Sequence, residues 1–353
     1  MGVRAVKREG EEKIATAVIG CGYWGPNLIR NLNDDPRAVV RYVCDINRAR
    51  LEAIGRLYPT VKLVGDYRKV LADNEVDAVF VATPVETHFP IAEAALHAGK
   101  HVLVEKPLTD SSDTARKLIA LAEKKRRVLM VDHTFLFTSA VEKMKEIVSS
   151  GALGEIYYID SVRVNLGLFQ HDINVVWDLG PHDISITNYI LGRPPRRVSA
   201  VGASHISKEI EDVAYVTLYY PGELLAHFHV NWLAPVKVRQ MLVGGSKRML
   251  LWNDIEPSEK IKVYDSGVTV KPLPNGRLDK GELYRTLIQY RTGDMRAPRL
   301  ENVEALSRVV SHFLDCVETG KEPLTSGHVG LEVIRVLEAA DRSMKMRGEA
   351  VAI

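Results

Sequence analysis

The apolar run Ile14-Ala15-Thr16-Ala17-Val18-Ile19 stops at Gly20, and further glycines follow at Gly22 and Gly25. A second apolar run, Val39 to Cys44, ends in an acid, Asp45. Glycines at this spacing, between a strand and a helix, let a chain turn closely around a pyrophosphate. Gly20 permits the tight turn, Gly22 lets backbone approach phosphate without a Cβ in the way, and Gly25 allows a close helix–strand contact. The helix starting near Pro26, with Leu28, Ile29 and Leu32 on its apolar side, points unpaired N–H groups at the same place. Asp45 stands where a carboxylate would hold the adenosine ribose, which favours NAD over NADP; Arg48 is close enough in sequence to soften that preference. The competing reading is a glycine-rich turn with no ligand.

The first third of the chain alternates strand and helix. Strands are expected at Ile14–Ile19, Val39–Cys44, Ala78–Ala82, His101–Val104 and Val128–Val131. Helices are expected at Leu28–Leu32, Arg48–Leu57, Tyr67–Ala72, Ile91–His97 and Thr114–Glu123, with Gly99 ending one and Ser112 or Asp113 capping the next. Alternation of this kind builds a parallel sheet covered on both faces, with its ligand crevice at the carboxyl ends of the strands. Gly20–Gly25 (with Tyr23 and Trp24), Asp45, Thr83-Pro84, His88 and Glu105-Lys106-Pro107 all fall at those ends.

After about Asp132 the pattern changes. A helix at Val141–Val148 precedes β-prone stretches at Ile156–Val164, Val198–His205, Val213–Tyr220, Leu224–Trp232, Val238–Val243 and Met249–Trp252. One helix, Asp183–Leu191, interrupts them, Pro272–Tyr284 reads as a loop, and helices at about Val303–Glu318 and Val329–Met346 follow. The expected fold class is α/β. A Rossmann dinucleotide-binding domain occupies 1–131, of which 1–13 is a solvated tail. An α+β domain with a large, mostly antiparallel open-faced sheet occupies 132–353. In that sheet Val216, Leu218, Phe228, Val230 and Trp232 alternate with neighbours that include Tyr215, Tyr219 and Leu225. A face only half polar predicts a homo-oligomer joined through it, against the alternative of a monomer.

Composition narrows the partners. The net charge of the 353 residues is +2, and no basic stripe with interleaved aromatics suggests nucleic acid. No stretch has the length of a membrane span. Cys21, Cys44 and Cys316 are scattered, which fits a reducing cytoplasm without disulfides.

Three groups of residues could carry chemistry. Lys106 closes a strand at the crevice mouth, where a cationic nicotinamide would disfavour its ammonium form and make it a proton acceptor for an alcohol. A solvated lysine at a strand terminus fits the position equally well. In Asp178-Leu179-Gly180-Pro181-His182 the acid and the imidazole are four apart and share a helix face. A capping acid with an exposed histidine is the plainer alternative. His171, Asp172, Asp178, His182 and Asp183 are also metal-ligand types, but tight spacing of the HExxH kind is absent, so no metal is expected. His227 and His229 share a strand face and are expected near a subunit edge or solvent. The basic turn Arg193-Pro194-Pro195-Arg196-Arg197 reads as a solvated loop.

On these residues the chain resembles the Gfo/Idh/MocA oxidoreductase family. The likeness runs through Gly20-Cys21-Gly22-Tyr23-Trp24-Gly25, Ala82-Thr83-Pro84 with His88, Glu105-Lys106-Pro107, Gly154-Glu155-Ile156 and Asp178-Leu179-Gly180-Pro181-His182. The resemblance implies NAD(P)-dependent, reversible oxidation of a ring hydroxyl in a sugar, cyclitol or nucleotide sugar, in dimers or tetramers. It implies Lys106 as the proton-transfer residue, His182 as its partner at the reacting hydroxyl and Asp178 as a substrate-orienting acid. Thr83, His88 and Glu105 would line the cofactor. An amine and an imidazole from separate halves would then meet at the nicotinamide. His133-Thr134-Phe135-Leu136-Phe137 stands where many members carry Asn-Arg-Arg-Phe, so inositol or hexose specificity does not transfer directly. Asn165-Leu166-Gly167-Leu168-Phe169-Gln170 is similar to UDP-N-acetylglucosamine (or uronate) 3-dehydrogenases, which makes Asn165 and Gln170 candidate substrate contacts. The alternatives are an inositol or free-sugar dehydrogenase, a metal-assisted enzyme built on His171, Asp172 and His182, and a non-catalytic NAD-sensing protein.

Overall fold

A computed structural model describes residues 13–167, 169–170, 172–270 and 288–353. Of the expected tail over 1–13 only Lys13, which is exposed, falls within these residues; His171 and the expected loop Pro272–Tyr284 lie outside them. The chain divides into two compact units, 1–137 with 303–334, and 138–302 with 335–353. A single boundary at 131/132 does not capture the return of 303–334 to the first unit.

In the first unit β1 (Ile14–Ile19), β2 (Ala38–Cys44), β3 (Lys62–Val64), β4 (Ala78–Val81), β5 (His101–Glu105) and β6 (Leu129–Asp132) form one sheet of order β3-β2-β1-β4-β5-β6. Every pairing is parallel. All residues of β1 and β4 are buried, as a parallel sheet covered on both faces requires. The crossovers are α1 (Gly25–Asp34), α2 (Arg48–Leu57), α3 (Tyr67–Leu71), α4 (His88–His97) and α5 (Ser112–Lys125). Gly99 takes the left-handed conformation just beyond α4. The cap of α5 is Ser111, one residue earlier than expected, with its side chain accepting from the Thr114 N–H. β3 was not expected from the pattern; three residues are too few to show an alternation.

The returning segment completes this unit. The Thr325 hydroxyl donates to the Val131 carbonyl at 2.6 Å, and Val131 N–H donates back to the Thr325 carbonyl at 2.8 Å, which covers the free edge of β6. Leu306, Val309, Val310, Phe313 and Leu314 form the buried stripe of α8 (Ala305–Thr319). Phe313 meets Phe80 of β4 edge-on, ring centroids 5.0 Å apart.

In the second unit α6 (Ser139–Ser149) leads into a nine-stranded sheet. Its strands are β7 (Ile156–Leu166), β8 (Arg197–Ala203), β9 (Val213–Tyr219), β10 (Leu225–Asn231), β11 (Leu233–Gly245), β12 (Met249–Asn253), β13 (Ile261–Tyr264), β16 (Met295–Arg296) and β17 (Val351–Ala352). A separate hairpin joins β14 (Gly267–Val270) to β15 (Ile288–Arg291). The order is β16-β13-β12-β11-β7-β10-β9-β8-β17, antiparallel throughout except where β7 runs parallel to β10. Ala214, Val216, Leu218, Ala226, Phe228 and Val230 fill the buried face. The other face shows Tyr158, Tyr215 and Leu225 to the outside. His227 and His229 lie half-buried there, with the Tyr215 ring stacked on both. Arg193, Arg196 and Arg197 are exposed, as a solvated turn requires.

Helix α7 (Val175–Leu191) begins eight residues before the expected start, Asp183, because Pro181 sits inside it. Proline there removes one backbone hydrogen bond, and Asn174 offsets this by capping the N–H groups of Val176 and Trp177. A buried ion pair locks α7 to β7. Arg163 donates through Nε to Asp183 Oδ2 at 2.8 Å and through Nη2 to Oδ1 at 2.9 Å, and the Ser161 hydroxyl adds a bond to Oδ1 at 3.2 Å. α9 (Gly327–Lys345) contains the division between the units. Asp183→Ala leaves Arg163 buried without its counter-charge and is expected to cost about 3–5 kcal/mol in urea unfolding. A loss below about 1 kcal/mol would mean that this pair does not secure α7.

Candidate active site

Five strand ends build the polar edge of the first unit. After β1, Gly20 adopts φ +101°, and a Cβ there would collide with the carbonyl of Ala82 beyond β4. A Cβ on Gly25 would collide with the Gly20 carbonyl. Both glycines are thus demanded by the protein's own atoms. Gly22 is not: a Cβ there would find nothing nearer than Arg50 Nη1 at 4.0 Å. The remaining reason for a glycine is a ligand that must approach the backbone, which is what a pyrophosphate does. Helix α1 begins here without a side-chain cap; Pro26 has no N–H and the Trp24 carbonyl accepts those of Asn27 and Leu28, so the helix offers an anion the positive end of its dipole. Tyr23 and Trp24 are exposed and meet edge-on. These features fit a bound dinucleotide.

Asp45 is buried after β2. Its Oδ2 accepts the Cys21 N–H at 2.6 Å and its Oδ1 the Asn47 N–H at 2.7 Å, so the acid holds the glycine turn. The cation near it is Arg50, with Nη1 at 3.8 Å. Arg48, expected to moderate cofactor choice, is almost wholly exposed and pairs with Glu52 instead. The thiol of Cys21 is pushed up to about 12 and that of Cys44 to about 11, chiefly by burial, so neither is a nucleophile.

After β4, Thr83 is half-buried, Pro84 is exposed, and the Thr87 hydroxyl donates to Thr83 Oγ1 at 2.7 Å. His88 is buried with Nδ1 2.8 Å from the Pro107 carbonyl and Nε2 2.8 Å from the Thr83 carbonyl. The ring is a strut between the loops after β4 and β5, its nitrogens committed to protein rather than free for a ligand. After β5, Glu105 is buried, Lys106 is half-buried and the Lys106–Pro107 peptide is cis. After β6, Asp132 and His133 are buried, a feature that the strand pattern did not point to.

In the second unit Asp178 and His182 lie one turn apart on α7, both half-buried. Asp178 Oδ2 accepts the Trp232 indole N–H at 3.0 Å. Trp232 also meets Phe169 edge-on at 5.6 Å and takes up the space that a side chain at Gly167 would need. It therefore brings the segment that carries Asn165 and Gln170, both half-buried, to the acid. The start of α7 is fixed by Asp341, which accepts from Asn174 Nδ2 at 3.0 Å and from Trp177 Nε1 at 2.7 Å. Trp232, Asp341 and Arg163 were not legible as site residues, because each acts from a distant segment. Among the described residues no group of three His, Cys, Asp or Glu side chains could hold a metal, and no helix is long and apolar enough to cross a membrane.

A parallel sheet of this order, with a glycine turn and an acid at adjoining strand ends, is an NAD-binding Rossmann domain. Residues 14–133 match the oxidoreductase family with an NAD-binding Rossmann fold, and residues 141–251 match the GFO/IDH/MocA C-terminal domain. The chain belongs to the Gfo/Idh/MocA oxidoreductases. The crystal structure of a candidate oxidoreductase from Magnetospirillum magnetotacticum is 30% identical with a TM-score of 0.77, over 93% of this chain and 99% of that one. A UDP-N-acetylglucosamine 3-dehydrogenase from Acidithiobacillus ferrooxidans is 34% identical over 41% of this chain and 45% of its own length. A D-apiose dehydrogenase from Paraburkholderia graminis is 24% identical over 92% of this chain and 85% of its own.

Gly22→Ala is expected to leave the melting temperature within about 2 °C while weakening NAD binding about tenfold or more. Gly25→Ala is expected to cost about 1–3 kcal/mol of stability as well. Calorimetric NAD titration and thermal melts of both variants check this; equal NAD affinity in wild type and Gly22→Ala would remove the ligand explanation for Gly22.

Proposed function

We propose that the protein oxidises, reversibly, a secondary hydroxyl on the ring of a nucleotide sugar, of the UDP-N-acetylhexosamine 3-dehydrogenase kind, with NAD as cofactor. The observation that carries the chemistry is Lys106 at the carboxyl end of β5, with Asp178 and His182 side by side on α7. The relative that acts on UDP-N-acetylglucosamine supports the substrate class.

NAD supplies the hydride acceptor when bound. Gly20, Gly22 and Gly25, with the positive end of the α1 dipole, would hold its pyrophosphate, and Asp45 its adenosine ribose. Tyr23, Trp24, Thr83, Pro84 and Glu105 would line it, and His88 would hold the two lining loops. Lys106 takes the hydroxyl proton as the hydride leaves the same carbon, and returns it in the reverse direction. His182 polarises the reacting oxygen. Asp178, steadied by Trp232, orients a neighbouring hydroxyl, while Asn165 and Gln170 contact the rest of the substrate. The residues fix positions and move one proton; the hydride chemistry belongs to the cofactor.

Lys106→Met is expected to lower turnover about 100-fold or more with NAD binding retained. NADH formation is followed with UDP-sugars, free sugars and inositols. Near-normal turnover in that variant refutes the lysine's role, and activity confined to inositols or free sugars moves the substrate class to the alternative reading. The open face of the sheet, with Tyr158, Tyr215 and Leu225 exposed, supports a homodimer or homotetramer joined there. Tyr215→Glu is expected to shift the light-scattering mass toward the monomer, and a wild-type monomer would dismiss the interface.

A further inference from the structure

Two acids lie side by side at the polar edge of the first unit, and the mechanism above assigns neither a proton. Glu105 ends β5 and Asp132 ends β6, and they are register partners in neighbouring parallel strands, so their side chains leave the sheet on the same face. Asp132 is 1% exposed and Glu105 7%. Each carboxyl is close enough to act on the other. The Thr134 hydroxyl donates to Asp132 Oδ1 at 2.7 Å. Glu105 Oε1 and Asp132 Oδ2 meet no donor among the described residues.

An ionised carboxylate only accepts, so two buried carboxyls at paired strand positions can bond each other only if one carries a proton. Two negative charges buried together would also repel strongly in low dielectric. Burial accordingly pushes both acids above the usual carboxylate range. The charge of Lys106 pulls the other way on each, favouring one ionised acid over two neutral ones. The charged group that acts on both acids is Lys106, which also acts on His133, next to Asp132, and on His88, where Asp110 acts too. His133 is pushed down to about 3 by burial, so it adds no charge near neutral pH.

We propose that Glu105 and Asp132 share one proton, hold a single negative charge between them, and serve as a positioning pair that is the fixed counter-ion of Lys106. The proposal rests on the reading of Lys106 as the proton-transfer residue. In the oxidation one hydride leaves the substrate carbon for NAD+, and one proton leaves its oxygen for the Lys106 amine. The acid pair stays monoanionic throughout. Its charge is matched by the oxidised nicotinamide before the step and by the Lys106 ammonium after it, so the local net charge does not change.

The signature of a shared proton is non-additivity. In Glu105→Gln or Asp132→Asn the remaining acid ionises and the single charge survives; only the double variant removes it. The lysines are 13C-methylated, the Lys106 signal is identified by its loss in Lys106→Met, and its titration is followed by NMR without substrate or cofactor. Each single variant is expected to titrate within about half a pH unit of wild type, and the double variant about one pH unit or more lower. Single variants that each lower the Lys106 titration as far as the double, or a double variant that matches wild type, overturn the proposal. Should the double variant not fold, infrared spectra of the others decide. A carboxylic-acid C=O band is expected in wild type near pH 7 and absent from both single variants; its absence from wild type overturns the proposal. A substrate panel that yields no NADH would overturn the dehydrogenase reading while leaving these titrations unaffected.

Discussion

A parallel sheet sends every strand out through the same edge, and the first unit is organised by that constraint. The glycine turn, Asp45, the Thr83-Pro84 loop, Lys106 and the Glu105–Asp132 pair come from five different strand ends, yet the topology brings them to one rim. The order reverses between β1 and β4, so the loops after those strands diverge and leave a crevice. The approach is close: any residue but glycine at position 20 would drive a Cβ into the carbonyl of Ala82. The acid after β2 is equally committed, because Asp45 binds the Cys21 N–H and so helps to shape the turn it stands beside. The shape of the rim and the packing of the sheet beneath it therefore depend on the same atoms.

The second unit solves a different problem. An antiparallel sheet needs cover on one face only, and α7 supplies it along β7, β9 and β10. That helix must also carry Asp178 and His182, so its rotation about its own axis matters. Three fixed points set it: the Asn174 and Trp177 bonds to Asp341, the Trp232 bond to Asp178, and the ion pair of Asp183 with Arg163. With these in place, a proline in the helix interior is tolerated.

Most of the architecture was legible because its signals are local and redundant. Buried runs such as Ile14–Ile19 and Ala78–Val81 can only be covered strands, and the glycine spacing needs no tertiary information. What escaped the sequence was non-local. Pro181 reads as a helix boundary until Asn174 is seen capping seven residues upstream. Arg50 rather than Arg48 meets Asp45 because α2 starts with its cap at Asn47, and helical geometry then decides which arginine faces the turn. Segment 303–334 shows nothing in its composition to say that it returns to the first unit; Phe313 against Phe80 and Thr325 on β6 settle that. Asp132 looked like the end of a strand, and only the register with Glu105 makes it part of a cluster of ionisable groups.

Buried polar groups in a stable fold are expected to be satisfied, and most here are. Asp183 has Arg163 and Ser161, Asp178 has Trp232, Asp45 has two backbone N–H groups, and the Lys100 ammonium donates to the carbonyls of Asp73 and Val76. Among the described residues of the first unit, the strand ends of β5 and β6 stand apart. One oxygen of each acid and both nitrogens of His133 find no protein partner among the described residues. Each such group destabilises the fold by about 1–3 kcal/mol, and packing alone would be served better by apolar side chains of similar size. They cluster beside Lys106 and not elsewhere in the sheet. The first unit thus gives up stability beside Lys106, where control of charge would serve the proton transfer proposed for that lysine.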